Sequence, residues 1–247
     1  MITIAKRASK QGRISIVRDR RTGAVIYRQG RAHQSEADAD GVSISAYVHM
    51  LYGLVRQARS REVLLIGCGG GTLATMLRRV AVAVTVVDVD PQAFALARRY
   101  FKLPDDVACH VGDGVRFLAE DPRRWDAIVL DAYVGNNVPP QFLRQPFFDL
   151  ARARLRRRGG CLFANAYVLT RNDRKADRLA ELMAAVFDDV RLLDEPDATN
   201  RNAIVMAGAV GRLTAPTLLV RPKAELDDIE GTLGRLAFRP WRARKGA

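Results

Sequence analysis

The stretch from Val63 to Leu73, VLLIGCGGGTL, decides the fold class of this chain. A run of apolar residues breaks into glycines and then resumes with helical spacing. A buried parallel strand that turns sharply into a helix has this pattern, and its glycines let the backbone approach a nucleoside ligand. The next apolar run, Val84 to Val87, ends in Asp88-Val89-Asp90-Pro91. A carboxylate at the tip of that second strand is placed to bind a ribose hydroxyl pair, so we expect a nucleoside-type cofactor.

Strand and helix patterns alternate along the chain from residue 62 onward. Strands are expected at 62–66, 83–88, 107–111, 127–130, 161–164, 189–193 and 203–207. Amphipathic helical patterns fill the intervals, including 144–157, which ends at Gly159-Gly160, and 173–186. This rhythm predicts an α/β fold with a doubly wound, mainly parallel sheet, preceded by a small N-terminal β segment.

The same patterns divide the chain into three expected parts. Residues 1–58 form a small N-terminal β-hairpin plus helix segment. Residues 59–210 form a Rossmann-like domain that binds the nucleoside. Residues 211–247 form a basic C-terminal tail with a short helix.

Composition bounds the class of protein. The net charge of +13 comes mostly from scattered arginines. Such a surface attracts nucleic acid or other polyanions non-specifically, and a solvated arginine-rich surface is the alternative. Because no apolar stretch reaches the roughly 18 residues of a membrane helix, and no signal-peptide pattern opens the chain, we expect a cytoplasmic protein with no membrane contact. The three cysteines lack zinc or disulfide spacing, which predicts reduced thiols and no metal.

Polar residues follow the apolar strands at one predicted edge of the sheet. In doubly wound sheets the ligand lies beyond the carboxyl ends of the strands, near the point where the strand order reverses. The residues at those ends are Gly67 to Gly71, Asp88, Asp113, Asp131 and Asn165. A single aspartate in a turn is more often a cap than a ligand. Three aspartates at equivalent strand ends favour a functional site.

Four motifs occur in a characteristic order: GCGGG at 67–71, DVD at 88–90, VGDG at 111–114 and WDAIVLDAY at 125–133. Followed by Gly159-Gly160, this series resembles the polyamine aminopropyltransferase (spermidine synthase) family, which shares the class I methyltransferase fold. The resemblance covers roughly residues 12 to 208.

The resemblance implies roles for residues around an adenosyl sulfonium donor. Its thioether side would lie near Gly67, Gly69, Gly70 and Gly71, its ribose at Asp88 beside Val89, its adenine at Asp113 and Gly114, and its aminopropyl group at Gln34.

A second set of residues would serve the incoming amine. The resemblance makes Asp131 the proton acceptor, with Tyr133 beside it as a second catalytic residue. Tyr47 and His49 stand where the family has a Tyr-His pair that lines the amine pocket, although their spacing from Gln34 is longer here. A core tyrosine and a surface histidine are the alternative for this pair.

Two positions depart from the family pattern. The family has an aspartate at the position of Gly70, which holds the terminal ammonium of the donor. It has another aspartate three residues after the proton acceptor, where this chain has Val134, at the edge of the amine pocket. Each missing carboxylate removes a charge-assisted contact of about 1.5–3 kcal/mol. The acceptor is therefore expected to be different from the family's diamine or less cationic, and S-adenosylmethionine becomes admissible as the donor.

These observations favour a transferase of polyamine metabolism. It would move an aminopropyl group from decarboxylated S-adenosylmethionine, or use S-adenosylmethionine itself, with a small-molecule amine as acceptor and no metal. The resemblance also favours a homodimer. A methyltransferase that uses S-adenosylmethionine on the same fold is the first alternative. A non-catalytic nucleoside binder or a basic nucleic-acid-associated protein is the second.

Overall fold

The computed structural model describes residues 1–30 and 32–241 of the chain. Across these residues the chain forms two β-sheets, a small antiparallel sheet at the N-terminus and a large, mainly parallel sheet after it. The end of the expected basic tail, residues 242–247, lies outside the described residues. Within those ranges, no helix is both long enough and apolar enough to cross a membrane.

The small sheet is built from the first part of the chain. Its strands pair antiparallel in chain order and are β1 (Ile2–Arg7), β2 (Ile14–Arg18), β3 (Val25–Gln29) and β4 (Ala32–Ala37). The segment is thus larger than the hairpin that the sequence predicts, because β1 pairs along β2 and β4 along β3.

Helix α1 (Ala46–Gln57) connects the small sheet to the large one, in which strands and helices alternate. The elements that follow are β5 (Glu62–Ile66), α2 (Thr72–Arg78), β6 (Ala83–Asp88), α3 (Pro91–Phe101), β7 (Ala108–Val111), α4 (Gly114–Glu120), β8 (Ala127–Leu130), α5 (Gln145–Arg154), β9 (Cys161–Val168), α6 (Lys175–Ala184), β10 (Val190–Asp194), β11 (Arg201–Gly208), α7 (Leu226–Gly234) and β12 (Ala237–Arg239).

The large sheet has the strand order β12-β10-β11-β9-β8-β5-β6-β7. Neighbours from β9 to β7 run parallel, whereas β11, β10 and β12 join by antiparallel pairing. The predicted doubly wound, mainly parallel sheet is confirmed. The chain leaves β5 toward β6 and β7 and returns on the other side of β5 as β8, so the order reverses between β5 and β8. A ligand crevice is expected at that point.

Two hydrophobic layers cover the faces of the large sheet. Leu65 points into the layer that α1, α2 and α7 complete, and its neighbour Leu64 points into the opposite layer with α5 and α6. This alternation follows from the two-residue period of a strand, and residues buried on both faces explain why the central strands are continuously apolar. The region beyond residue 211 contributes to this packing, because Ile229 and Leu233 of α7 are buried in the first layer.

A third apolar cluster fixes the small sheet to the large domain. Ile14, Ile16 and Tyr27 of the small sheet pack with Leu96 and Phe101 of α3. Phe101 is fully buried there. Because α3 follows β6, this contact holds the small sheet beside the carboxyl ends of β5 and β6.

A buried ion-pair network joins the far edge of the large sheet. Asp194, the last residue of β10, accepts two hydrogen bonds from the Arg201 guanidinium at 2.7 and 3.0 Å and one from Arg239 at 2.8 Å. Arg239 also pairs with Asp177 of α6 at 2.9 Å. Burial opposes ionisation of Asp194, but the hydrogen bonds from the two guanidinium groups outweigh it and lower the pKa of this carboxyl.

Replacement of Asp194 by Asn should lower the free energy of unfolding by about 3 kcal/mol, because it leaves the buried Arg201 guanidinium without its counter-charge. Urea unfolding at pH 7 measures the difference. The matched control is Glu230→Gln, which removes an exposed partner of Arg221 and should cost less than about 1 kcal/mol. Equal losses for both variants would show that the network does not hold this edge of the sheet.

Candidate active site

A cleft of about 1070 Å³ lies between the small sheet and the carboxyl ends of the central strands. Its lining comes from β4 and α1 on one side and, on the other, from the residues that follow β5, β6 and β8 and from the second half of β9. This is the position that the reversal of strand order predicts for a ligand.

The centre of the cleft is the contact between Gly67 and Asp131. Gly67 has a φ of +102°, and a Cβ built on it would lie 2.3 Å from the Asp131 carbonyl oxygen. The Asp131 amide in turn donates to the carbonyl of Ile66 at 2.9 Å. A side chain at position 67 would therefore force the loops after β5 and β8 apart. Glycine is required here by close approach as well as by backbone conformation.

Of the other glycines of the turn, Gly69 lines the cleft and Gly70 contacts the small sheet. The amide of Gly70 donates to the Ser35 hydroxyl at 2.8 Å, and a Cβ on Gly70 would lie 2.8 Å from the Phe101 ring. Gly71 has a φ of +67° and starts α2. Gly70 and Gly71 thus do not face the large cleft, and the place of a side chain at position 70 is filled by Ser35 and Phe101.

Asp88 lies half-buried at the tip of β6, in the lining of the cleft, with Val89 exposed beside it. One carboxylate oxygen accepts the Cys68 amide at 2.7 Å and the other accepts the Asp90 amide at 2.8 Å. Burial raises the pKa of this carboxyl, and the two amide hydrogen bonds oppose the rise. Each oxygen keeps a lone pair for a further donor, which is what binding of a vicinal diol requires.

Asp113 has a different position from the one expected. Its carboxylate caps α4 by accepting the amides of Val115 and Arg116, and its second oxygen accepts the Gln141 side-chain amide at 3.1 Å. Gly114 and Gln141 line the cleft, whereas Asp113 is not among the lining residues. The capping contacts explain this placement, because they turn the carboxylate toward the helix N-terminus.

Asp131 is held by uncharged donors. The Asn165 side-chain amide donates to its carboxylate at 2.8 Å, and the Tyr47 hydroxyl donates to it as well. The carbonyl of that Asn165 side chain accepts from the Asn202 amide at 2.9 Å, which orients it. Burial raises the pKa of Asp131 to about 7, although the two hydrogen bonds lower it in part. A carboxyl that titrates near neutral pH is suited to accept a proton from an amine.

Tyr133 lines the cleft, but its hydroxyl is used by the backbone of β9. It donates to the Asn165 carbonyl at 2.8 Å and accepts the Tyr167 amide at 3.0 Å. Burial raises the pKa of this phenol. The structure therefore favours a role for Tyr133 in fixing the loop after Asp131, in place of the direct catalytic role expected from the sequence.

Gln34 and Tyr47 reach the site from the side of the small sheet. The Gln34 side-chain amide donates to the carbonyl of Gly135 at 3.1 Å, so it bridges β4 and the loop that follows Asp131. The Tyr47 hydroxyl lies 3.4 Å from the Gln34 carbonyl. Val134 lines the cleft near this bridge and is exposed.

His49 does not reach the cleft. It is 1% exposed, and its Nε2 contacts the Ser43 carbonyl at 2.7 Å. Tyr47 and His49 are two residues apart on α1, so they point to opposite sides of the helix. The expectation that His49 lines the amine pocket is therefore corrected. The tyrosine of this pair lies in the site, and the histidine is a buried structural residue.

Several lining residues carry no sequence motif. They are Gln141, Tyr167, Glu195, Asn202 and Arg235. These residues lie in loops or on the antiparallel strands, where neither spacing nor a glycine turn marks them. Asn165 does have a signal, since it is the polar residue that interrupts the apolar run of β9.

Comparison with known proteins gives relatives of two kinds, polyamine aminopropyltransferases and protein methyltransferases. Residues 63–159 match the family model of a methyltransferase domain. The chain is 30% identical over 147 residues to a probable polyamine aminopropyl transferase of Bifidobacterium longum, and 28% identical over 180 residues to a polyamine aminopropyltransferase of Chromobacterium violaceum. The chain is thus similar in sequence to polyamine aminopropyltransferases. The resemblance expected from the four motifs is confirmed.

The coverage of these relatives differs. The alignments span 58% and 70% of this chain, but 33% and 66% of the length of the two relatives. The crystal structure of a probable spermidine synthase from Corynebacterium glutamicum superposes with a TM-score of 0.77 at 20% identity, over 95% of this chain and 90% of that one. This likeness establishes the methyltransferase-like fold with its N-terminal antiparallel segment.

Replacement of Asn165 by Leu should raise the pKa of Asp131 above about 7, because the carboxylate loses a hydrogen bond to its charged form while it stays buried. The titration of the carboxyl carbon in protein labelled with 13C at aspartate measures this pKa directly. The comparison variant is Asn202→Leu, which keeps the direct donor and should shift the pKa less. An unchanged midpoint in Asn165→Leu would rule out this contact as a determinant.

Proposed function

We propose that this protein is a spermidine-synthase-like transferase that moves an aminopropyl group from an adenosyl sulfonium donor to a small-molecule amine. The observation that carries the proposal is the placement of Asp131, a buried carboxylate with a raised pKa, in contact with the glycine turn at the point where the strand order reverses. The relatives named polyamine aminopropyltransferase support the same assignment.

Binding of the donor follows from the two sides of the turn. The ribose hydroxyls would donate to the free lone pairs of Asp88, and the adenine would lie near Gly114 and Gln141, which line the cleft at the end of β7. Gly67 and Gly69 let the backbone come close to the sulfonium, because neither carries a side chain. Asp113 would orient the Gln141 side chain toward the adenine. Contact of Asp113 itself with the adenine amine would require it to give up its hydrogen bond to Gln141.

The chemical step needs alignment and one proton acceptor. The nitrogen of the acceptor attacks the carbon next to the sulfonium; a C–N bond forms, the C–S bond breaks, and its electron pair returns to sulfur as a neutral thioether. Asp131 takes the proton that the amine releases. An alkyl amine has a pKa near that of lysine, about 10, so a carboxyl raised to about 7 is a better matched base than an ordinary aspartate.

Replacement of Asp131 by Asn should lower kcat by about a hundredfold or more and leave the dissociation constant of the donor nearly unchanged. Stopped assays of thioether nucleoside release and calorimetry with the donor provide the two readouts. Asp105→Asn, at an exposed position outside the cleft, is the control and should match the parent protein. Turnover that persists in Asp131→Asn would remove this residue from the proton-acceptor role.

A second candidate is methyl transfer from S-adenosylmethionine. Two observations favour it. Residues 63–159 match a methyltransferase domain. Ser35 and Phe101 occupy the space of a side chain at Gly70, so no carboxylate projects from that position to repel a carboxylated donor. A carboxylate at position 70 would instead hold the terminal ammonium of the decarboxylated donor.

The nucleoside product separates the two candidates. Incubation with decarboxylated S-adenosylmethionine and an amine should yield methylthioadenosine if the aminopropyl group moves. Incubation with S-adenosylmethionine should yield S-adenosylhomocysteine if a methyl group moves. We expect methylthioadenosine, identified by liquid chromatography with mass spectrometry. Release of S-adenosylhomocysteine alone would establish the methyltransferase, and absence of binding to either donor by calorimetry would overturn both candidates.

A further inference from the structure

One part of the cleft extends from Asp131 away from the glycine turn, past the ends of β9, β11 and β10. We call it the acceptor arm and define it by the lining residues Tyr167, Glu195, Asn200, Asn202, Thr232 and Arg235. Between Asp131 at the end of β8 and Glu195 at the end of β10 lie three strand spacings, or roughly 14 Å. The donor side, at β5 and β6, lies in the opposite direction from Asp131.

Most of the acceptor arm is uncharged. The Tyr167 hydroxyl donates to the Asn200 side-chain oxygen at 3.3 Å, and the Asn202 amide donates to Asn165. Arg201 also lines the cleft, but its guanidinium is used by Asp194 and by the Ala198 carbonyl at 2.6 Å. It therefore offers no free charge to a ligand.

The far end of the arm presents one charge of each sign. Arg235, the residue after α7, forms an ion pair with Glu195, the residue after β10. The Glu195 side chain is 14% exposed and the Arg235 side chain is 60% exposed. The ammonium end of a diamine would meet a carboxylate already neutralised by Arg235, and the guanidinium would repel it. A group that carries both a carboxylate and an ammonium satisfies both partners.

Resting on the function proposed above, we propose that the acceptor is an α-amino acid with a second amine at the end of its side chain. The carboxylate would bind Arg235, the α-ammonium would bind Glu195, and the side-chain amine would reach Asp131. The arm is long enough to hold the side chain of such an amino acid. The amides and hydroxyls that line it are neutral, so the middle of that side chain needs no charge of its own. The transfer forms a bond from the side-chain nitrogen to the carbon released by sulfur, with one proton passed to Asp131.

Two pairs of acceptors test this assignment, since each pair differs by one carboxylate. Ornithine is compared with 1,4-diaminobutane, and lysine with 1,5-diaminopentane, using the donor that gives turnover. We expect kcat/KM to be about tenfold or more higher for an amino acid than for the matching diamine, the effect of one charge-assisted contact.

Variants at the far end of the arm provide the structural test. Arg235→Gln should raise KM for the amino acid by about tenfold or more. It should lower KM for the diamine, because it removes the repulsion and leaves Glu195 free for the ammonium, whereas Arg235→Lys should restore part of the affinity for the amino acid. Arg221→Gln is the matched control, because Arg221 forms an ion pair with Glu230 of α7 and neither residue lines the cleft. It should leave both acceptors unaffected.

The outcomes separate this inference from the function on which it rests. If no donor binds, the proposed function fails. If the donor binds and the diamines are preferred, or if Arg235→Gln behaves like Arg221→Gln, the acceptor assignment is overturned while the transferase stands. Where the donor binds without turnover, calorimetry of the four acceptors with the protein saturated by methylthioadenosine decides, and equal affinity within each pair overturns the assignment.

Discussion

The contact between Gly67 and the Asp131 carbonyl is the constraint on which the rest of the site depends. The two parallel strands β5 and β8 place their carboxyl ends side by side, and the loops that follow them can meet only if one of them lacks a side chain. Once they meet, the carboxylate that follows β8 lies against the turn that follows β5. In the proposed function, these backbone contacts alone would bring a donor bound at the turn close to a base after β8.

The small sheet and α1 cover the carboxyl edge of the large sheet at the cleft. The carboxyl edge of an open α/β sheet is exposed to water on one side, and water weakens the electrostatic contacts of a carboxylate. Here Ser35 binds the glycine turn, Gln34 bridges to Gly135, and Tyr47 donates to Asp131. These contacts come from β4 and α1, which the cluster around Phe101 holds in place. The small sheet thus acts as one wall of the cleft and desolvates the carboxylate that the chemistry needs.

The sequence predicts the strands and turns correctly where local packing permits only one structure. Apolar runs buried on both faces identify β5, β6 and β8, and the glycine turn identifies Gly67, because period and steric exclusion are local properties. The prediction fails where a contact between distant segments decides. Spacing on α1 places Tyr47 and His49 in one motif, but helix geometry turns them apart. Asp113 matches a motif, yet its carboxylate is used by the helix it caps. Glu195 and Arg235 are brought together by the antiparallel pairing of β10 and β12, and no local pattern marks that pairing.

In the proposed function, the neutral residues around Asp131 allow one carboxylate to act as base without a second. A cation in contact with it would lower its pKa and weaken it as a base, whereas a neighbouring carboxylate would raise the pKa further and keep the group protonated. Asn165, Asn202 and Tyr47 are neutral donors, so they orient the carboxyl and leave burial to set its affinity for a proton. Val134, at the place of a second family carboxylate, fits the same logic. In the proposed function Asp131 alone takes the proton, and the charges proposed to bind the acceptor, those of Glu195 and Arg235, lie at the far end of the cleft.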